Sequence, residues 1–493
     1  MNIQSTATER GPWITLSAIE LAQHIQNGEL TSETVTQGFA DLCKAVNPSL
    51  NAMAVPRYEE AMEEARKADV LLAQGHCLGP LHGVPCTVKE GLGLRGAPHT
   101  LGSLRRVGQT ASMSGTVVER LQQAGAIILG LGNMSEMALW PESNNLVYGR
   151  TSNPYGYGRT PGGSSGGDAA LVAAGGVPFG IGTDGGGSIR IPAAYCGVFG
   201  HKPTGGTVPM TGHIPLHSAQ FRSRPEAQRV AAYFATGPLT RSAKDLMPIL
   251  RVISGADNLD QNARDKTLYD PASIELSKSR ILVCSNPQLS GVRNVSASIQ
   301  KAVNKAASYF ADSKCEIVEW TSPRFKHAAS MWISVVNDLS LREVVGDGCP
   351  ISLISEIVRT AVGRRHHTAP SLLAACGDYI TPFIRKKFIL SEEMRRSLKC
   401  EIEAALGPNG LLIFPATPDV AGPHGSAMFH PMDIMYAALF NALKLPATSV
   451  PLGYDGNGLP LAVQLIGGHD KDHVTIAGAL YLEEAIRRET LSV

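Results

Sequence analysis

Short apolar runs bounded by glycine recur along this chain, and they constrain its fold more than any other feature. Residues 83–88 and 126–130 form two such runs, and the second follows a stretch with helical periodicity over 116–123. A helix followed by a short, wholly apolar strand is typical of a β-sheet that is buried on both faces. The chain is therefore predicted to have an α/β fold, with helices on both faces of a central sheet.

The two ends of the chain extend this prediction. Near the C-terminus the same pattern predicts strands over 411–414 and 461–466, a hairpin turn at 454–458 and a closing helix over about 472–488. The N-terminal part is predicted to be helical, with helices over about 17–28, 31–45 and 59–74. Ser17 and Glu20 have the spacing of a capping box at the start of the first helix. No linker is long enough to separate domains, so we expect one large domain.

Charge and cysteine content exclude several classes of protein. The chain has 44 Lys and Arg against 43 Asp and Glu, so its net charge of +1 argues against a nucleic-acid partner. Its nine cysteines lack Cys-x-x-Cys spacing, which favours free thiols in a reducing compartment. Residues 1–10 are polar, unlike a signal peptide, and the longest apolar run, 169–182, is too short to span a membrane. We therefore expect a cytoplasmic protein without a membrane span.

Glycine is concentrated between Gly162 and Ser188. This segment has 11 glycines in 27 residues, where the composition of the whole chain predicts about three. Glycine clusters where the backbone takes positive φ or approaches another group closely, and such segments often bind a ligand through N–H groups. The segment is therefore a candidate binding or catalytic site.

Two nucleotide-binding interpretations fit this segment poorly. Residues 180–185 match the pattern G-x-G-x-x-G, which indicates a dinucleotide site only when a helix and an acidic residue follow. Pro192 is predicted to interrupt a following helix, and no Asp or Glu lies between Asp184 and Glu226. A phosphate-binding P-loop is also disfavoured, because no G-K-[ST] is present.

A hydrolase with serine chemistry fits better. The loop before Ala169 contains Ser164 and leads into an Ala-rich helix, for which Ser165 and Asp168 are predicted caps. The consecutive glycines before Ser188 could aim their N–H groups at one anionic point, as an oxyanion hole requires. Each loop alone is more typical of a tight turn. The two loops together with a lysine in an apolar setting, Lys89, favour a catalytic site.

These motifs resemble those of the amidase signature family. The run from Pro161 to Thr204, PGGSSGG…GTDGGGSIRIPAAYCGVFGHKPT, is similar to that family's signature, and GPLHGVPCTVKEGL around Lys89 resembles the block with its catalytic lysine. The similarity also includes LGNMSEMA over 131–138 and the C-terminal LPATSVPLG and GLPLAVQLIGG. Within the family, the sequence FGHKP over 199–203 is most similar to fatty-acid amide hydrolases.

The resemblance implies a single domain with a mixed sheet covered on both faces by helices. It assigns a helical wrapping to about 1–75, a catalytic core to 76–210, a helical substrate-pocket region to about 335–400, and strands and a helix to 408–493. It implies neither a cofactor nor a metal. The basic cluster at 364–367 is interpreted as a solvated face.

The resemblance also implies a Ser-cisSer-Lys triad. Its members are Ser188 as nucleophile, Ser164 as bridging serine after a cis peptide bond from Gly163, and Lys89 as base. The backbone N–H groups of Gly185, Gly186, Gly187 and Ser188 would form the oxyanion hole. Asp184 and Arg190 would support that loop, and Met134 would line the acyl pocket or fill a gap in the core.

The proposed base has a physical rationale. A lysine acts as a base only when neutral, and burial lowers its pKa by disfavouring the ammonium form. Val84, Pro85 and Val88 could supply that burial. An ion pair with Glu90 is disfavoured, because adjacent side chains in a strand point to opposite faces.

The sequence departs from the family at Gly185, where isoleucine is usual. The glycine predicts a more flexible loop or space for a bulkier acyl group. The long hydrophobic N-terminal segment of vertebrate fatty-acid amide hydrolases is absent from this sequence.

The expected function is hydrolysis of linear amides through an acyl-enzyme, with hydrophobic acyl groups near Leu353 and Ile354. The alternatives are a small-amide or aryl-acylamide hydrolase, a glutaminase-type amidotransferase subunit, and a catalytically silent assembly subunit. The motif after Lys-Pro-Thr differs from the amidotransferase type, which disfavours that alternative. The sequence leaves open a homodimer and peripheral contact with a membrane.

Overall fold

The central sheet is buried on both faces, because alternate side chains of one strand pack into two different hydrophobic clusters. The computed structural model describes residues 12–216, 221–384 and 386–491. In strand Leu411–Pro415, Leu411 and Ile413 belong to one hydrophobic cluster, whereas Leu412 and Phe414 belong to a second. Since successive side chains of a strand point to opposite faces, these two clusters lie on opposite sides of the sheet. The α/β fold with two covered faces is confirmed.

The strands are β1 (Met53–Pro56), β2 (Pro85–Lys89), β3 (Ile127–Gly132), β4 (Asn144–Asn145), β5 (Gly149–Arg150), β6 (Phe179–Asp184), β7 (Phe199–Lys202), β8 (Ala235–Thr240), β9 (Arg280–Val283), β10 (Glu316–Glu319), β11 (Leu411–Pro415), β12 (Ala447–Tyr454) and β13 (Pro460–Ile466). Within the described ranges, eleven of them form one sheet in the order β1-β3-β2-β6-β8-β7-β12-β13-β11-β9-β10. The strand β2 is parallel to β3 and β6, and β9 is parallel to β10 and β11. The other neighbours in this sheet are antiparallel, so the sheet is mixed.

The α-helices are α1 (Ala18–Gln26), α2 (Ser32–Leu50), α3 (Tyr58–Ala73), α4 (Thr116–Gln123), α5 (Gly166–Ala173), α6 (Arg190–Cys196), α7 (Pro225–Ala231), α8 (Leu246–Ile253), α9 (Ala297–Asp312), α10 (Ala328–Val336), α11 (Leu341–Val345), α12 (Leu353–Ala361), α13 (Ala369–Ile384), α14 (Lys386–Leu406), α15 (Met435–Ala442) and α16 (Asp472–Leu491). Helices α8 and α16 pack into the first cluster, and α10 and α15 pack into the second. None of the helices in the described ranges is long and apolar enough to cross a membrane.

The three predicted N-terminal helices are confirmed, and residues 1–11 of the assigned wrapping lie outside the described residues. Ser17 and Glu20 make the reciprocal capping box, with Ser17 Oγ accepting from the Glu20 N–H at 3.2 Å. Helix α2 extends to Leu50, beyond the predicted end near residue 45, and ends at Asn51 in the left-handed conformation. The strand β1 was not predicted; it pairs antiparallel with β3 at the sheet edge.

The C-terminal hairpin and closing helix are confirmed. Strands β12 and β13 flank residues 455–459, where Asp455 Oδ1 accepts hydrogen bonds from Asn457 and Leu459. The prediction that Pro192 prevents a helix after residues 180–185 is wrong, because α6 follows and contains it. Pro192 is the third residue of α6, where its missing N–H would have had no intrahelical partner.

Candidate active site

The predicted site residues lie at or near the ends of two parallel strands. Lys89 is the last residue of β2, and Val88 lies opposite Ile181 of the neighbouring strand β6. Both strands therefore end at the same edge of the sheet, which is where α/β proteins commonly bind ligands. The loops that follow or flank this edge contain Ser164 and Ser188.

Lys89 lies in a fully buried polar contact. Its Nζ donates to Ser164 Oγ at 2.6 Å and to Thr183 Oγ1 at 2.8 Å, and its side chain is 0% exposed. Burial lowers the pKa of Lys89 to about 7, although the charges of Asp168 and Asp184 oppose this effect. A substantial neutral fraction of Lys89 therefore exists near neutral pH.

Glu90, the neighbour of Lys89, binds elsewhere. Its carboxylate accepts hydrogen bonds from the backbone N–H groups of Thr100 and Leu101 and from Tyr148. Burial raises the pKa of Glu90 to about 7. The two adjacent side chains thus have separate hydrogen-bond partners, as the strand argument predicted.

The loop that contains Ser164 is held by its neighbours. The Gly163–Ser164 peptide bond is cis, as the resemblance implied. Ser143 Oγ donates to the carbonyls of Gly162 and Ser164 at 3.1 and 3.3 Å, and it accepts from the N–H of Gly166 at 2.9 Å. These contacts fix the backbone on both sides of Ser164.

The predicted caps of helix α5 are wrong. Ser165 occupies the N-cap position, yet its Oγ bonds the backbone of Thr183, with N···O and O···O distances of 3.3 Å, instead of the helix N-terminus. Asp168 lies inside the first turn and is completely buried. Burial raises the pKa of Asp168 to about 7, while the charge of Lys89 acts in the opposite direction. Ser165 therefore joins the Ser164 loop to β6, and the charge of Asp168 influences the pKa of Lys89.

Asp184 and Arg190 support the glycine loop, as predicted. The Arg190 guanidinium and the Asp184 carboxylate form an ion pair at 3.0 Å, and both side chains are 0% exposed. Arg190 also donates to Asn441 Oδ1, Gln464 Oε1 and the Ala437 carbonyl. Burial alone would raise the pKa of Asp184, but the charge and hydrogen bonds of Arg190 hold it well below its usual range. The loop is thus anchored to a charged centre inside the core.

One predicted oxyanion donor needs correction. The N–H of Gly187 donates to Asp184 Oδ1 at 2.7 Å, so this donor stabilises the loop and does not point into the site. Gly187 has φ of 112°, and an added Cβ would lie 2.7 Å from Ala437 Cβ and Ile191 Cδ1. Within the described ranges, the N–H groups of Gly185, Gly186 and Ser188 donate no backbone hydrogen bond.

Ser188 lies at the accessible side of this loop. Its carbonyl accepts from the Ser165 N–H at 3.2 Å, and its side chain is half-buried. Because Ser165 directly follows Ser164, this hydrogen bond joins the loop of Ser164 to the loop of Ser188. Ser188 is more exposed than the buried Lys89 and Ser164, and its role as the nucleophile stays a prediction.

The space left by Gly185 is filled from outside the loop. An added Cβ at Gly185 would collide with the ring of Phe234, so this position opens no space, and the isoleucine usual in the family would require that ring to move. Trp332 Nε1 of α10 donates to the Gly185 carbonyl at 3.0 Å, and its indole would lie 3.3 Å from a Cβ at Gly186. The expectation of extra room at Gly185 is therefore wrong, and the expectation of a more flexible loop stays a prediction.

Met134 is completely buried. It packs in a hydrophobic cluster with Leu101, Ile214 and Phe221, and its Sδ would lie 3.3 Å from a Cβ added at Gly91. This placement agrees with the core interpretation, and the acyl-pocket role stays a prediction.

The helical region over 335–400 differs in part from its prediction. Leu353 is buried, but Ile354 is 77% exposed, so these neighbours do not line one enclosed channel. In the basic cluster, Arg364 and Arg365 are exposed as predicted. His367 is instead buried, and its Nδ1 forms a hydrogen bond with Glu136 Oε1 at 2.7 Å.

Sequence reasoning missed Thr183, His213 and Trp332. Thr183 directly precedes Asp184, and its place near the end of a strand parallel to β2 could have indicated contact with Lys89. His213 Nε2 lies 3.2 Å from Thr183 Oγ1. His213 and Trp332 follow their partners by 30 and 147 residues, and no motif marks them.

Comparisons with known proteins identify the family to which the chain belongs. The family model described as Amidase matches residues 34–476. The chain is 36% identical to fatty-acid amide hydrolase 2-B of Danio rerio, over 96% of this chain and 90% of that protein. It is also 29% identical to a glutamyl-tRNA(Gln) amidotransferase subunit of Prochlorococcus marinus (strain MIT 9313), over 95% of this chain and 97% of that protein.

A solved structure of the amidase signature family is also similar to this chain. A bacterial aryl acylamidase of the amidase signature family superposes with a TM-score of 0.78 at 25% identity, covering 96% of this chain and 97% of the other. The family model spans most of the chain, and the zebrafish relative exceeds 30% identity over nearly its whole length. This chain therefore belongs to the amidase family of amide hydrolases.

Proposed function

We propose that the protein hydrolyses linear carboxylic amides through an acyl-enzyme formed on Ser188. One observation carries the proposal: the Nζ of a fully buried lysine with a lowered pKa lies 2.6 Å from a serine hydroxyl, beside a glycine loop that ends in a second serine. A serine is a weak nucleophile that needs an adjacent base. The neutral form of Lys89 supplies that base through Ser164.

Acylation follows from this arrangement. Ser188 Oγ attacks the amide carbonyl carbon while its proton passes to Ser164 and the proton of Ser164 passes to Lys89. The negative charge on the carbonyl oxygen is stabilised by the N–H groups of Gly185, Gly186 and Ser188. The carbon–nitrogen bond then breaks, and the leaving amine takes a proton back through Ser164.

Deacylation repeats the sequence with water. Water adds to the acyl carbon, Ser164 and Lys89 accept its proton, and Ser188 leaves with a proton to release the carboxylic acid. Each proton thus returns to its starting group, and the net reaction is amide plus water giving acid plus amine.

A second buried lysine provides an internal comparison. Burial also lowers the pKa of Lys202 to about 7, and its side chain is 1% exposed. Its Nζ donates to the Pro203 carbonyl at 2.9 Å, a group that has no proton to give. A lowered pKa is therefore insufficient for a base, and the contact with Ser164 singles out Lys89.

We further propose hydrophobic acyl groups as the preferred substrates. The 36% identity with a protein named as a fatty-acid amide hydrolase supports this preference. The names of the bacterial aryl acylamidase and of the amidotransferase relative indicate the competing substrate classes.

The test is a series of p-nitroanilides with acyl chains from C2 to C18, together with acetamide and glutamine. Each buried methylene contributes about 0.8 kcal/mol, so kcat/KM should rise about fourfold per carbon, or about fifteenfold per two carbons, until the site is full. A burst of p-nitroaniline equal to the enzyme concentration would support the acyl-enzyme if deacylation limits turnover. A higher kcat/KM for acetamide or glutamine than for amides of eight or more carbons would overturn the acyl preference.

A further inference from the structure

We propose that His213 is a positioning residue that, through Thr183, directs the lone pair of Lys89 toward Ser164. This inference rests on the proposed function, in which Lys89 is the base. It concerns groups that lie behind the lysine and do not touch the substrate.

Four polar groups form a continuous buried chain behind the nucleophile. His213 Nε2 lies 3.2 Å from Thr183 Oγ1, Thr183 Oγ1 lies 2.8 Å from Lys89 Nζ, and Lys89 Nζ lies 2.6 Å from Ser164 Oγ. His213, Lys89 and Ser164 are each at most 1% exposed, and Thr183 is 2% exposed. Solvent therefore does not replace any of these partners.

The backbone fixes His213 against the loop that follows β2. Leu92 pairs with His213 in an antiparallel bridge, and the Gly93 N–H donates to the Gly212 carbonyl at 3.1 Å. The His213 N–H donates to the Met210 carbonyl at 2.9 Å. The segment that contains Lys89 thus also holds the imidazole in place.

The direction of each hydrogen bond follows from counting protons. A neutral lysine has two N–H donors and one lone pair, and it can act as a base toward Ser164 only if the lone pair points there. One N–H of Lys89 must then donate to Thr183 Oγ1. The threonine hydroxyl has a single proton, and this proton must point away from the lysine.

His213 Nε2 accepts that proton. This requires a neutral imidazole with its proton on Nδ1, because a ring nitrogen accepts only when unprotonated. Without an acceptor at this place, the Thr183 hydroxyl is free to rotate and donate to the Lys89 lone pair, in competition with Ser164. His213 therefore keeps Thr183 an acceptor and Lys89 aimed at its substrate-side partner.

Two substitutions at His213 separate positioning from packing. In His213→Gln the side-chain amide reaches the place of Nε2, and its oxygen can accept from Thr183. In His213→Asn the amide reaches only the place of Nδ1. We expect His213→Ala and His213→Asn to lower kcat about ten- to a hundredfold with KM within about twofold, and His213→Gln to stay within about threefold of the parent.

Thr183 supplies the second arm of the test. Thr183→Val should lower kcat to a similar extent, whereas Thr183→Ser, which keeps the hydroxyl, should retain most activity. The double variant Thr183→Val/His213→Ala should be no slower than Thr183→Val, because both changes remove one pathway. All rates are normalised to active protein after thermal unfolding shows which variants fold.

A matched control is available nearby. His99 is also buried, and its Nε2 bonds the Gly91 carbonyl at 3.2 Å, away from Thr183. His99→Gln should leave kcat per folded molecule unchanged. Equal activities of His213→Gln and His213→Asn, or full kcat in folded His213→Ala, would overturn the positioning role.

The outcome is separable from the proposed function. If Lys89→Ala is inactive while His213→Ala keeps full kcat, only the positioning role fails. If Lys89→Ala keeps full kcat, the proposed base itself is wrong.

Discussion

The strand ends around Lys89 bury ionisable side chains, whereas helix α12 exposes apolar ones. The ionisable residues Lys89 and Asp184 are 0% exposed, whereas Ile354 and Ile357 of α12 are 77% and 60% exposed. Charged residues are rarely fully buried unless partners hold them, so the strand ends have been built around specific contacts. The apolar stripe of α12 contributes little to the core by comparison. The sheet therefore holds the candidate catalytic residues, whereas the apolar stripe of α12 faces away from the core.

The largest expected effect is at Lys89. Lys89→Ala should lower kcat/KM by about 10²–10⁴-fold, and Lys89→Arg should be similarly inactive because arginine does not act as a base. In the parent enzyme, kcat/KM should rise with pH and level off above about 7, since the lysine must lose its proton before it works. Initial rates between about pH 5 and 9 measure both effects. An active Lys89→Arg variant would show that the lysine is only a buried cation.

The next effect is on stability, at the ion pair beneath the loop. Arg190→Met leaves the buried Asp184 carboxylate without its charged partner, which should lower the free energy of unfolding by about 3–5 kcal/mol. Because the native pKa of Asp184 is depressed, the stability it contributes is present above its unfolded pKa and is lost as pH falls. Urea unfolding at about pH 7 and at about pH 2.5, which lies below the unfolded pKa of an aspartate, measures this. Asp470, half-exposed in an ion pair with Lys266, is the control, and Asp470→Asn should change little.

A smaller effect is expected at Trp332. Trp332→Phe removes the N–H that bonds the Gly185 carbonyl but keeps most of the ring. A neutral hydrogen bond contributes about 1 kcal/mol, so kcat should fall roughly fivefold with KM nearly unchanged. Trp320, which packs edge-on against Phe325, is the matched control. An unchanged kcat in Trp332→Phe would show that Phe234 and Asp184 hold the loop without the indole.

The smallest effect is expected on the exposed stripe of α12. Ile354→Ser should change the free energy of unfolding by no more than about 0.5 kcal/mol, whereas Leu353→Ala, one residue earlier and buried, should lower it by about 2 kcal/mol or more. Thermal unfolding of the two variants makes the comparison. A loss at Ile354 equal to that at Leu353 would show that the two residues share one packed core.

The contrast between strand ends and helix α12 also shows which parts could be predicted from sequence. The strands β2 and β3, the C-terminal hairpin and the Ser17 capping box have local patterns, because neighbouring residues determine them. Lys89, Ser164 and Ser188 lie in long motifs with a chemical rationale. The structure brings Lys89 and Ser164 into direct contact and joins the loops of the two serines.

Other features depended on contacts between distant segments. Phe234 fills the space beside Gly185, and Trp332 bonds its carbonyl from α10, so the loop is held despite its glycines. The sequence predicts the Gly187 N–H as an oxyanion donor. No local pattern indicates that the Asp184 side chain turns back and accepts this N–H instead. The exposure of Ile354 was likewise hidden, since an apolar helical stripe has the same pattern on a core helix and on an exposed one.

The mechanism depends above all on Ser188 forming the covalent intermediate, and active-site labelling tests this most directly. The parent enzyme is mixed with a fluorophosphonate, digested and examined by peptide mass spectrometry, in parallel with folded Ser188→Ala. We expect one label per chain, on the peptide that contains Ser188, and no label in Ser188→Ala. A label of the same stoichiometry in Ser188→Ala would contradict the mechanism and place the nucleophile elsewhere.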